Sequence, residues 1–335
     1  MRYPRPMPTP LDLLCIGESL RDVFYLLDEA SVTCSLHKER CLLCLEYAEK
    51  IPVKHIVKVH AAGNSANAAV GARRLGLRSG LVSWIGQDAA GADILSALRQ
   101  AKIDTQGIHI DPHIPTSEAT LLVFQGERTQ LVHFEPREYL LPPLPATKAV
   151  YYSAMGWKFA DVDRRLLAHL KKHPDTRLAF QPGTTHIRVG LKAILPLIAR
   201  SWLLVLNKDE AAHLLNDGHR PMRNLLETLH RHGARTVIIT DGPNGADAFD
   251  GERHWHMPIF PGEAIERTGA GDSFACAATC ALLQDEDLPT ALRWGAANSW
   301  SVVMKVGPQA GLLTKTGLNT LLRKFSKIRP VAITL

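Results

Sequence analysis

An α/β fold, with helices packed on a mostly parallel sheet and a small β-sheet set apart, is what this chain of 335 residues predicts. Short apolar runs ending at glycine or polar residues alternate with amphipathic stretches of helical length, the pattern of a parallel sheet buried on both faces. One mid-chain segment breaks that alternation and reads as a hairpin. Several Gly-containing loops follow predicted strands and open helices, where ligands of open α/β sheets bind.

The elements follow in order. Leu11 to Ile16 is a short apolar run ending at Gly17, as a buried strand ends. Asn64 to Leu75 reads as a helix with small residues toward the core and Gly76 as its stop. Gly80 to Ile85 is a strand and Ala92 to Ala101 a helix. Further strands are predicted at Ala149 to Ser153, Arg177 to Phe180, Trp202 to Leu206 and Thr236 to Thr240. Helices between them span Val162 to Lys172, Leu191 to Ala199, Lys208 to Leu215 and Met222 to His232. Ala119 to Phe124 and Thr129 to Phe134, joined through Gly126, form the hairpin. With Asp22 to Tyr25 and Val53 to Val59 it makes the separate small sheet.

Composition narrows the class. With 46% hydrophobic and 21% charged residues the chain is an ordinary globular protein able to bury a large core. A formal charge of +6 favours anionic small molecules. Lys and Arg are scattered rather than massed, so no nucleic-acid partner is expected, and the stretch Arg323 to Arg329 reads as a solvated helix face. No apolar run reaches the ~18 residues of a membrane span. The first ten residues carry four prolines and no apolar core, and are read as a flexible tail without a secretory leader. A cytoplasmic location is the resulting expectation. Six cysteines in a chain of this length do not make a disulfide scaffold.

The most informative segment is Glu266-Arg267-Thr268-Gly269-Ala270-Gly271-Asp272-Ser273-Phe274, followed by the apolar run Ala275 to Leu283. It reads as a tight loop opening into a helix, whose first-turn N–H groups lack intrahelical partners and attract anions. Glycines let a phosphate approach the bare backbone. Asp272 supplies a carboxylate able to receive a hydroxyl proton. Phosphoryl transfer to an alcohol needs both. A Gly-containing cap with a first-turn aspartate is the alternative.

With Thr268 onward, this segment resembles the D-T-T-G-A-G-D-x-F signature of the ribokinase-like, or PfkB, family of carbohydrate and nucleoside kinases. Four more stretches resemble that family in its own order. They are Gly17-Glu18 with Asp22, Ala62-Gly63-Asn64-Ser65-Ala66-Asn67, Asn207-Lys208-Asp209-Glu210, and Thr240-Asp241-Gly242-Pro243-Asn244-Gly245-Ala246. The resemblance implies one kinase domain over residues 11–330, a ribokinase-like three-layer α/β/α core, and a lid from about 18–60 and 115–136. It implies ATP-dependent transfer of the γ-phosphate to a sugar hydroxyl. Asp272 is then the base, with the N–H groups of Gly269, Ala270 and Gly271 stabilising the charge.

Other roles follow from the same resemblance. Asp22, Gly63, Asn64, Asn67 and Arg137 are expected at the acceptor. Asn207, Thr240, Gly242, Gly245, Thr268 and Asn298 are expected at the nucleotide, and Asn207 with Glu210 at Mg²⁺. Activation by a monovalent cation such as K⁺ belongs to the same expectation, whereas a homodimer through the lid is expected because an exposed sheet edge invites pairing. Several readings stay open. Asn207 and Glu210 also fit a capping box, Asn64 a helix cap, and Asn298 a core position. The acceptor is a sugar or a nucleoside, an apolar lid wall favouring the latter. A catalytically silent sensor of a sugar or nucleotide is the non-enzyme alternative.

Departures from the pattern are informative. Gln181-Pro182-Gly183 stands where the family often has Asp-x-Asn, and Ala62 replaces a glycine. Arg267 faces either ATP phosphates or a surface carboxylate. Cys34, Cys41 and Cys44, with His37 between them, suggest either a zinc site or buried core thiols, and Leu42-Leu43 suggests a partly buried helix there. His254 and His256 read as a solvent-facing pair on a strand.

Overall fold

A computed structural model describes residues 10–35, 41–218 and 221–333. The readings of residues 1–9 as a tail and of His37 as a ligand lie outside the described residues.

In chain order, β1 (Leu11–Ile16) is followed by β2 (Leu20–Leu27), β3 (Ser31–Cys34), β4 (Cys41–Cys44) and β5 (Val53–Ala62). Next come α1 (Asn64–Arg74), β6 (Ser79–Gly86), α2 (Ala89–Gln100) and β7 (Asp104–Asp111). The mid-chain hairpin is β8 (Glu118–Phe124) and β9 (Glu127–His133). Beyond it lie β10 (Thr147–Tyr152), α3 (Ala160–Lys172), β11 (Arg177–Phe180), α4 (Thr184–Val189), α5 (Leu191–Arg200) and β12 (Leu203–Asn207). The chain continues through α6 (Lys208–Leu214), α7 (Met222–Arg231), β13 (Thr236–Thr240), β14 (Ala246–Phe249) and β15 (His254–Met257). Helices α8 (Ala270–Leu283), α9 (Leu288–Val303) and α10 (Lys315–Lys324) and strand β16 (Val331–Ile333) complete it.

Among the described residues the main sheet has ten strands in the order β16-β15-β14-β13-β12-β11-β10-β1-β6-β7. The run from β13 to β7 is parallel, and β14, β15 and β16 add an antiparallel edge. Because β16 pairs with β15, the main sheet extends past residue 330. Central strands are apolar on both faces, and every residue of β6 is buried. One face packs against α1, α2, α8, α9 and α10 through Ala66, Ile94, Ala277, Leu292 and Leu318. The other meets α3, α5, α6 and α7 through Leu166, Ile194, Leu214 and Leu225. The result is three layers, as the sequence predicts.

Small side chains bring α1 and α8 close. Ala66, Ala68, Ala69 and Ala72 face Ala275, Ala277 and Ala278 in one buried cluster. A Cβ on Gly71 would approach Cys276 Sγ to 2.8 Å. This closeness carries Asn67 on α1 to Asp272 on α8.

The small sheet has the order β5-β2-β8-β9. Residues of β8 alternate between buried and half-buried, and Leu20, Phe24, Ala62, Ala119, Leu121 and Val123 form its own apolar core. The insertion around the cysteines is not a helix. β3 and β4 pair as an exposed antiparallel hairpin, Cys34 opposite Cys41, with a disulfide between them. Leu42 is 51% exposed, so the buried-thiol reading fails for this segment, and the disulfide removes two of the three thiolates a zinc site would use. No cluster of three or more metal-ligating side chains occurs among the described residues. No helix there is long and apolar enough to cross a membrane.

Candidate active site

A cavity of about 620 Å³ opens between the carboxyl ends of the parallel strands and the inner face of the small sheet. Its wall includes Asp22, Gly63, Asn64, Asn67, Asn207, Glu210, Thr240, Thr268, Gly269, Gly271 and Asp272. Residues scattered over 250 positions of sequence thus meet in one space.

The loop before α8 is shaped from within. Gly269 takes φ +78°, and a Cβ there would meet Pro308 Cβ at 2.4 Å, so glycine is required twice over. Buried Glu266 accepts hydrogen bonds from Thr268 N at 2.6 Å and Gly307 N at 3.2 Å, and one from the Thr268 hydroxyl. A glutamate therefore braces the loop where the family signature begins with aspartate. A Cβ on Gly271 would find only Gln181 Nε2, 3.9 Å away, which leaves its backbone open to the cavity. The Ala270 N–H turns back to Arg267 O at 3.3 Å, and Ala270 is absent from the wall. Of the three residues expected to cradle an anion, Gly269 and Gly271 line the cavity and Ala270 does not.

Asp272 opens α8 within its first turn. Its Oδ2 accepts from Asn67 Nδ2 at 3.0 Å and its Oδ1 from Gln181 Nε2 at 3.2 Å. Burial raises the carboxyl above its ordinary range, and these two donors with the Arg128 charge oppose that rise.

Asp22, on β2, is 3% exposed. Its pKa is pushed up to about 7, chiefly by burial and then by repulsion from Asp272 and Glu266, with Arg128 opposing. Asp22 Oδ1 has no hydrogen-bond partner among the described residues. Gly63, at φ +100°, precedes α1, and a Cβ there would strike Glu18 O at 2.5 Å. Asn64 begins α1 but makes no capping bond, since Gly63 holds the cap position. Asn67 is fixed by Gln309, whose Nε2 donates to Asn67 Oδ1 at 2.9 Å and to Ala61 O at 2.6 Å.

At the other end, Asn207 and Glu210 take the capping role and also face the cavity. They form a reciprocal capping box at 2.8 and 2.9 Å, and both line the cavity. Burial raises the Glu210 carboxyl to about 7, with the charges of Asp272 and Asp209 adding and the bond from the Asn207 N–H opposing. Thr240 lies on the wall, whereas Gly242 and Gly245 shape the turn behind it and do not.

Two expected contacts lie elsewhere. Arg137 is buried behind the wall, where its Nη2 donates to Pro115 O and its Nε stands 3.7 Å from Glu18 Oε1. The buried Glu18 carboxylate beside it lines the cavity, and Arg137 Nε and Nη1 have no hydrogen-bond partner among the described residues. Asn298 is buried too, donating to Ser273 O at 3.0 Å and accepting from Leu313 N at 2.9 Å, so it ties α9 to α8. Arg267 lines the cavity and pairs at 2.8 Å with Glu127 at the hairpin tip. His254 and His256 are not a solvent-facing pair. His254 Nε2 and His256 Nδ1 lie 2.8 and 3.1 Å from the two oxygens of Asp247 on the neighbouring strand.

Sequence reasoning missed one wall altogether. Arg128, Gln130 and Val132 on β9 and Phe134 just beyond it line the cavity, every second residue as a strand requires. The alternation was present in the sequence, but which face looked inward was not. Trp157 and Arg188 face the same space from the opposite side, on segments without a motif. Gln181 was visible only as a departure from pattern, and proves to contact Asp272.

Comparison with known proteins agrees with this fold. The description "pfkB family carbohydrate kinase" matches residues 24–315. A 5-dehydro-2-deoxygluconokinase of Bacillus thuringiensis is 27% identical over 270 residues, covering 73% of this chain and 80% of that protein. The nucleoside kinase of Methanocaldococcus jannaschii, a ribokinase-family member, superposes with a TM-score of 0.74 at 21% identity, covering 94% of this chain and 99% of that one. Arabidopsis thaliana ribokinase, solved with ribose and ATP, superposes with a TM-score of 0.76 at 18% identity and the same coverages. The chain belongs to the pfkB family of carbohydrate kinases, ATP-dependent phosphotransferases that act on a sugar hydroxyl.

Proposed function

We propose that this cavity transfers the γ-phosphate of ATP directly to a hydroxyl of a sugar, with Asp272 as the base and the Gly269–Gly271 backbone as the anion cradle. The observation that carries the reading is the single cavity joining Asp22, Asn67, Asp272 and the loop N-terminal to α8. Asp22 has an unpartnered buried oxygen, which two acceptor hydroxyls would satisfy. Asp272 orients the reacting hydroxyl and takes its proton as the phosphoryl group leaves ADP. N–H groups at Gly269 and Gly271 meet the charge on the transferring group. The lid strand β9 covers the acceptor and limits competing attack by water.

The nucleotide is assigned to the side bounded by Asn207 and Thr240. Glu210 and Asn207 suit Mg²⁺, which needs only one or two protein oxygens because it keeps most of its waters. The raised pKa of Glu210 supports this, since a half-buried carboxylate whose charge is disfavoured by Asp272 and Asp209 would be relieved by a cation. When bound, Mg²⁺ neutralises phosphate charge. K⁺ activation is a further part of the proposal.

For the acceptor, the polar residues Arg128 and Gln130 beside Asp22 and Asp272 favour a sugar, and one carrying a carboxylate would suit Arg128 and Arg188. The Bacillus thuringiensis relative is named for such a sugar acid. A nucleoside is the second reading, favoured by Trp157, Phe134, Val132 and Met155, which line the same cavity. The lid edge strand β5 exposes Ile56, and Leu131 on β9 is exposed as well, which supports pairing of two lids in a dimer.

An ATP-coupled screen of pentoses, hexoses, sugar acids, sugar phosphates and nucleosides, with and without Mg²⁺ and K⁺, tests the proposal. Acceptor-dependent ADP release is expected, and Asp272→Asn should lower it at least ~1,000-fold while ATP affinity stays within a few-fold. Near-normal turnover by that variant removes Asp272 from the role of base.

A further inference from the structure

Asp272 does not hold its own orientation. Its two carboxylate oxygens are each gripped by a side-chain amide, Asn67 on one side and Gln181 on the other. An amide can flip end for end, presenting oxygen instead of NH₂, and a flipped amide would repel the carboxylate. Both amides are prevented from flipping. Gln309 donates to Asn67 Oδ1 at 2.9 Å, and the Tyr151 hydroxyl donates to Gln181 Oε1. The Tyr151 phenol is fully buried, and burial raises its pKa well above the ordinary value, so it stays protonated and donates.

The backbone of Gln181 is clamped as firmly. Its N–H donates to Tyr152 O at 3.0 Å, and its carbonyl accepts from Ser153 Oγ at 2.8 Å. These bonds tie the residue after β11 to the end of β10, where Tyr151 also sits. The chain Tyr151–Gln181–Asp272–Asn67–Gln309 therefore crosses the floor of the cavity from the main sheet to the loop after α9. Every amide in it has one assigned orientation.

We infer that Gln181, oriented by Tyr151, is a positioning residue that holds the Asp272 carboxylate ionised and aimed at the acceptor hydroxyl. This rests on the reading of Asp272 as the base. The physical need is plain, because burial favours the protonated acid and a protonated Asp272 cannot accept the hydroxyl proton. Each donated hydrogen bond favours the anion. Charged groups facing Asp272 from neighbouring elements divide by sign: Arg128 on β9 favours the anion, while Asp22 on β2 and Glu210 on α6 oppose it. Against burial and two acids, the amide donors act with Arg128 to offset part of the rise. Gln181 also occupies the position where the family often carries a carboxylate. A glutamine there adds a donor without adding a third negative charge.

The test compares Gln181→Met, Gln181→Glu and Tyr151→Phe with the native enzyme across pH. Gln181→Met keeps length and removes the donor; kcat should fall about 10- to 100-fold, and the acid limb of kcat/KM should move up by about one pH unit. Gln181→Glu should move that limb further, since it adds a charge beside Asp272. Tyr151→Phe frees the amide to flip and should give a smaller change in the same direction. KM for ATP should stay within about threefold in all three. A purely structural role for Gln181 predicts lower melting temperatures with an unmoved acid limb, and that result overturns the inference. A ¹³C-detected titration of the Asp272 carboxyl reads the same shift without turnover, so the inference stands or falls even if no acceptor is turned over. Were Gln181→Met not to fold, an unshifted Asp272 titration in Tyr151→Phe would be sufficient to reject it.

Discussion

Replacing Asp22 by asparagine should make the ligand-free protein more stable while crippling it as an enzyme. Asp22 is 3% exposed, carries an oxygen with no hydrogen-bond donor, and sits near Asp272 and Glu266. Its pKa rises from 3.8 to about 7 on folding. A rise of about three units corresponds to ~4 kcal/mol of destabilisation once the group is charged in both states. The sign follows from the direction of the shift. Between pH 4 and 7 the folded state binds the extra proton, so stability is lost as pH rises through that window. The cost is complete above about pH 7 and absent below the unfolded value. An asparagine at this position carries no charge and removes most of that cost, less what its own buried amide needs. With an unfolding entropy of roughly 2 cal/mol/K per residue, a gain of ~2–4 kcal/mol raises Tm by about 3–6 °C in this chain. Differential scanning calorimetry of the ligand-free variant at pH 8.5 and pH 5 measures it, and the gain at pH 5 should be less than half that at pH 8.5. Acceptor KM should rise ~100-fold or more, because bonds to a charged group at two hydroxyls are lost. An unchanged or lower Tm at pH 8.5, or a gain independent of pH, refutes the reasoning.

Two other outcomes follow from the same electrostatics. Arg128→Ala removes the positive charge that both Asp22 and Asp272 feel, so the acid limb of the pH–rate profile should move up and kcat should fall about tenfold. If the acceptor bears a carboxylate, its KM should rise more in that variant than the KM of the corresponding neutral sugar, as steady-state kinetics on both will show. Glu210→Gln removes the carboxylate assigned to Mg²⁺, and the Mg²⁺ concentration for half-maximal activity should rise about tenfold, read by titrating the metal at saturating ATP.

The layered architecture and most elements were legible in the amino-acid sequence, because buried parallel strands and the helices covering them leave opposite hydrophobic periods. Leu11–Ile16, Arg177–Phe180 and Thr236–Thr240 have the bounds that their apolar runs mark. Asp272, Asn67, Asp22 and Asn207 were legible as candidates too, since each sits in a short stretch that resembles a family motif at a strand end or helix start, and all four line the cavity. Residues such as Gln130, Val132, Trp157 and Arg188 were not, because lid and loop side chains reach the cavity through tertiary placement. The cysteine insertion misled for a related reason. Leu42 and Leu43 look like core residues, yet a two-stranded hairpin standing away from both sheets leaves them little to pack against.

Local sequence thus determined which chemistry this protein carries: a glycine loop opening a helix, an acid in its first turn, and polar residues at strand ends. Tertiary structure alone decided how that acid is held. Tyr151, Gln181, Asn67 and Gln309 lie on four separate segments, and no local pattern announces a hydrogen bond between residues 205 positions apart. It also turned Arg137 away from the cavity and Arg128 toward it. Periodicity records which side chains share a face, whereas the partner of a buried charge depends on which segments the sheet order brings together.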